Sequence, residues 1–63
     1  MSELIDYAHP MIMAEQALKK AHNLLLGEAY EMALDQLKLA LAETRTASIA
    51  VIHMKEKKDA IRQ

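Results

Sequence analysis

From Ala14 to Leu25 the apolar residues fall at Ala14, Ala17, Leu18, Ala21, Leu24 and Leu25. That i, i+3, i+4, i+7 spacing is one face of an amphipathic helix. The stretch is bounded by the chain's single proline, Pro10, and its single glycine, Gly27, and strong helix formers fill it. Pro10 suits a first turn, where its missing N–H has no partner to lose. Two starts are open: Asp6 caps a helix beginning at Tyr7, or His9 is pushed out of helical geometry and the helix begins at Pro10. Gly27 stands where a left-handed C-capping glycine belongs. A tight turn there is preferred to one helix running through Gly27, which costs about 1 kcal/mol relative to alanine.

After the glycine the pattern changes period. Ala33, Ala40, Ala47 and Met54 are spaced by seven, as are Tyr30, Leu37, Thr44 and Val51, and Leu34, Leu41, Ser48 and Lys55. The three columns make one wide face, and a seven-residue repeat favours left-handed, coiled-coil-like packing. Glu28 and Glu31 supply acids for a first turn. The expected elements are a helix over about residues 6–26, a turn at Gly27 and a helix over about 28–60, in one domain spanning 1–63. Thr44-Arg45-Thr46-Ala47-Ser48 is the weak stretch, where β-branched and small polar residues lower helix propensity. It leaves open a separate third helix, Ile49 to Ile61, capped by Thr46 or Ser48.

Folded back at Gly27, the two helices are expected to set Ala21 against Ala33, Ala17 against Leu37 and Ala14 against Leu41, with Leu24 or Leu25 meeting Tyr30. That seam is thin, and cores of this size rarely supply more than about 3–5 kcal/mol. Ile12, Met13, Met32, Leu39, Ile49 and Ile52 do not all fit it. Unspent apolar surface on a small helical chain points to association. The fold class expected is therefore all-α: a two-helix antiparallel hairpin with a longer second helix, closing as a homodimer into a four-helix bundle. Its core and dimer face is Ala33, Leu34, Leu37, Ala40, Leu41 and Ala47. The second helix overhangs the first by roughly 15 Å at about 1.5 Å per residue.

Composition narrows the function classes. Eleven alanines and nine leucines dominate 63 residues, with no Cys, Phe or Trp. A disulfide scaffold, a cysteine zinc site and a thiol nucleophile are excluded. His9, His22 and His53 include no i, i+4 pair, and His53-x-x-Glu56 runs in reverse to the di-iron Glu-x-x-His motif. No catalytic constellation or glycine-rich phosphate loop is visible, so no enzyme, metal or cofactor is expected. Purely apolar runs such as Leu39–Ala42 and Ile49–Ile52 reach no more than four residues, against about 20 for a spanning helix. With no secretory signal pattern at residues 1–6, a cytoplasmic protein without a membrane role is the expectation.

What remains is interaction. Met13, Met32, Ile52, Met54 and Ile61, with Lys55, Lys57, Lys58 and Arg62, are the candidate partner-binding residues. Methionine surfaces adapt to several partners, and the overhang has no intrachain helix to cover it. Met11 joins Met13 as a candidate interface residue. The basic end sets four cations against two acids, Glu56 and Asp59. Offsetting the helix dipole explains it. The alternative is a phosphate-contacting patch of a small nucleic-acid-associated regulator, weakened by a net charge of −1.

Two resemblances add to this reading. Gly27-x-x-Tyr30-x-x-Ala33-Leu34-x-x-Leu37-x-x-Ala40-Leu41 resembles the second helix of a tetratricopeptide repeat. The family's first-helix Trp and its terminal proline are absent, and one unit stands where about three are needed. At the level of the whole chain, the length, the hairpin about Leu26-Gly27-Glu28 and the end Met54-Lys55-Glu56-Lys57-Lys58 resemble the small helical proteins encoded in the early regions of lambdoid bacteriophages. That resemblance implies a hairpin capable of dimerising. It also implies a role in biasing phage development towards lysis, or in perturbing host regulation, through contact with a host protein. It supplies no functional residues.

Overall fold

A computed structural model describes residues 7–62 of the chain, with side chains described for 7–59. Two antiparallel helices account for them: α1, Ala8–Leu26, and α2, Tyr30–Arg62. The hairpin expected from Pro10 and Gly27 is present, and no strand occurs among the described residues. Pro10 lies in the first turn of α1 and is buried. Tyr7 is the N-cap, without a side-chain hydrogen bond, so the start at Pro10 is not adopted. The capping expected of Asp6 lies outside the described residues.

The turn differs from expectation in one respect. Gly27 has φ −95° and ψ 10°, and the residue in the left-handed region is Glu28, φ 60°. The Glu28 amide donates to Leu25 O at 3.0 Å and the Ala29 amide to Leu24 O at 2.8 Å. This pair of bonds is a Schellman closure, which puts the left-handed residue one position after the cap. The glycine therefore sits one residue too early to relieve the strain. Ala29 takes the N-cap place of α2, its carbonyl accepting from the Ala33 amide at 3.0 Å. Glu31 is the acid of the first turn, and Glu28 lies in the turn before it.

The helix does not break at Thr44–Ser48. Thr44 Oγ1 donates to Ala40 O at 2.7 Å and Thr46 Oγ1 to Ala42 O at 3.2 Å. Each hydroxyl thus bonds the carbonyl one turn back instead of capping a new helix.

The interior is made of alanine. Among the described residues, Ala14, Ala17 and Ala21 of α1 and Ala33, Ala40 and Ala47 of α2 are the buried hydrophobic ones, joined by Pro10. Small side chains let two helix axes approach closely, so backbone and methyl groups fill the space between them. This corrects the expected pairing of alanine with leucine. Leu37 is 40% exposed, Leu41 55% and Tyr30 59%. A close alanine seam leaves no room for a leucine between the axes and pushes the neighbouring columns outward. The half-buried positions beside the seam are Ala29, Gln36, Glu43 and Ala50 on α2, again spaced by seven, and Met13 and Leu24 on α1. Gln36 Oε1 is buried with no hydrogen-bond partner.

The hairpin is a rod, 53 × 18 × 12 Å. Helices of 19 and 33 residues differ in length by roughly 20 Å, so α2 outruns α1. Among the residues whose side chains are described, Ala47 is its last buried one and Ala50 its last half-buried one, and every position from 51 to 59 is exposed.

Candidate protein-interaction site

Two broad sides flank the alanine seam, and they are unlike. In an antiparallel pair, residues following the seam positions on each helix fall on the same side. Met11, Leu18 and Leu25 of α1 therefore lie beside Tyr30, Leu37, Thr44 and Val51 of α2, with Leu34, Leu41 and Ser48 next to those. Met11 and Val51 line one groove, which confirms the arrangement at the open end. Every large apolar residue of this side is exposed, from Leu37 at 40% to Tyr30 at 59%. The opposite side carries Met32, Leu39 and Ile49, interrupted by Asp35, Gln36, Glu43 and His53.

The groove encloses about 590 Å³. Ala14, Ala47, Thr44 and Ser48 form its floor because they are small, and Met11, Val51 and Ile52 rise around them. Along the same side of α2, Leu34, Leu37 and Leu41 stand out as a ridge. One strip thus has a raised half and a hollow half.

Of the expected core and dimer face, Ala33, Ala40 and Ala47 are buried within the chain, whereas Leu34, Leu37 and Leu41 are exposed. The candidate partner residues do not form one site. Met13 is half-buried against the seam, and Met32 is 59% exposed near the turn. Counted from the turn, the two stand roughly 15 Å apart along the rod. Ile52 is 52% and Met54 39% exposed toward the free end of α2, and Ile52 lines the groove with Met11. Lys55, Lys57 and Lys58 are exposed there. Lys55 Nζ pairs with Asp59 Oδ2 at 3.3 Å, so this basic end is partly neutralised on its own helix. The side chains of Ile61 and Arg62 lie outside those described. Met11 lines the groove instead of Met13. The sequence signal for the groove is the set of small residues Thr44, Ala47 and Ser48, the same stretch whose low helix propensity suggests a break.

Among the described residues, no group of three or more histidines and carboxylates converges on a point. No helix among them is long and apolar enough to cross a membrane. No protein-family model matches the chain, and no curated protein or solved structure is found to match it.

Proposed function

We propose that this protein is a non-enzymatic interaction module that works as a homodimer, two hairpins closing into a four-helix bundle whose free ends meet a protein partner. One observation carries the reading. Among the described residues the buried core side chains from Ala14 to Ala47 are all alanine, while sixteen larger apolar side chains, from Tyr7 to Met54, are exposed. At about 0.8 kcal/mol per buried methyl group, six alanines supply roughly 5 kcal/mol before any ordering cost is subtracted. A hairpin held that weakly gains its stability by covering its leucines.

The direction of the exposed face fits a bundle. On α2 the columns of Tyr30 and Leu34 stand about a quarter-turn around the axis from the alanine seam. A helix with two apolar faces at that angle has the two neighbours of a square four-helix arrangement. Beyond the bundle, Ile52 and Met54 with Lys57 remain for an acidic surface of another protein, whose approach lysines would steer. The phage resemblance makes that partner a host protein.

Light scattering and thermal melts across a hundredfold dilution test the reading. A dimer mass and a melting temperature that falls on dilution are expected, as mass action requires. A monomer mass with a constant melting temperature would overturn it.

A further inference from the structure

The ridge and the hollow lie on the same strip of α2, in reverse order of size and charge. From its N-terminal end the strip reads Tyr30, Leu34, Leu37, Leu41, then Thr44, Ser48, Val51, then Lys55 and Lys58, with Glu28 just before it. The first half is large and begins at an acid. The second half is small and ends in cations. We propose that this strip docks a second copy of the chain running antiparallel along it. Leu41 then meets the partner's Thr44, Leu37 the partner's Ser48 and Leu34 the partner's Val51. The inference rests on the self-assembly proposed above and adds its direction and register.

Three observations converge on it. Antiparallel helices with a seven-residue repeat pair in alternating layers, and slipping them changes every layer at once, in steps of one heptad. In the register named, each layer sets a large side chain on a smaller one, and leucines fill the groove of about 590 Å³ floored by Thr44, Ala47 and Ser48. Tyr30 receives the stem of the partner's Lys55, and Glu28 comes within one residue of the level of the partner's Lys58, so opposite charges close both ends. A slip of one heptad either way sets Leu37 on the partner's Leu41 or carries Leu34 onto the partner's Lys58, and both lose this matching.

The chain has no cysteine, which makes cross-linking a clean test. Leu37→Cys combined with Ser48→Cys should form a covalent dimer in a glutathione buffer at least tenfold faster than Leu34→Cys with Thr44→Cys or Leu37→Cys with Lys55→Cys. Those two controls report the slipped registers, and Leu37→Cys alone reports a parallel arrangement. A faster control overturns the register while leaving the homodimer standing, and a monomer mass overturns both. A second measurement avoids cysteine. Glu28→Lys and Lys58→Glu chains should each melt lower than the parent at low salt, and their equimolar mixture should melt several degrees above either one alone. A mixture that melts between the two would overturn the pairing.

Discussion

The amide of Ala29 donates to the carbonyl of Leu24 at 2.8 Å, closing α1 over Glu28, which carries φ 60°, and not over the glycine beside it. A left-handed conformation costs a residue with a Cβ roughly 1–2 kcal/mol. Glu28→Gly should therefore stabilise the hairpin by about 1 kcal/mol, read as a higher melting temperature in 0.5 M salt, where loss of the charge matters little.

Gly27→Ala should act in the unexpected direction. Gly27 has an ordinary negative φ, and an added Cβ meets only Leu24 O at 3.8 Å. The substitution narrows the unfolded ensemble without native strain, so a gain of about 0.4–1 kcal/mol is expected. A loss of 1 kcal/mol or more in denaturant titration would mean that the glycine carries the turn after all.

Much of the fold was legible because punctuation is so sparse. One proline and one glycine leave few places for a helix to start or stop, and the columns through Ala33, Ala40 and Ala47 mark a seam. What periodicity could not decide was the width of that seam. Ala33, Tyr30 and Leu34 head adjacent columns of one apolar face, and only the closeness of the axes determines which columns enter. The alanines take the centre, and Leu34, Leu37 and Leu41 are left outside. The left-handed residue was misplaced for a related reason, since glycine preference predicts the conformation but the hydrogen-bond ladder fixes the position. The continuity through Thr44 was hidden because a hydroxyl that caps and a hydroxyl that bonds one turn back look alike in sequence.

Ala40→Leu should test the closeness of the seam. Ala40 is 5% exposed, and added methylenes have no space between axes set by alanine. A destabilisation of about 1–3 kcal/mol is expected in urea titration. An unchanged midpoint would mean that the helices stand far enough apart to admit a leucine.

Gln36 is a polar residue beside that seam whose buried Oε1 accepts no hydrogen bond. Leaving an acceptor unsatisfied costs about 1–3 kcal/mol, and an apolar group of similar shape removes the cost. Gln36→Met should raise stability by about 1 kcal/mol. A lower melting temperature would show that the amide is satisfied in the assembled protein.

Leu37→Glu separates a finished hairpin from half of a bundle. Leu37 is 40% exposed and outside the alanine core. In a solitary hairpin, an exposed substitution of this kind changes stability within about 0.5 kcal/mol, and a charge at that site also improves solubility. In the bundle, the same carboxylate enters the hollow floored by Thr44, Ala47 and Ser48, where no cation faces it. Burying an unpaired charge opposes assembly strongly. The expected result is a monomer by light scattering and a large fall in melting temperature at micromolar concentration, relative to Leu39→Glu on the opposite side of α2. Leu39 is 41% exposed, so the two variants match in residue type and exposure and differ only in the side they occupy. Equal melting temperatures and equal masses for the pair would remove the apolar side of Leu37 from any role in assembly.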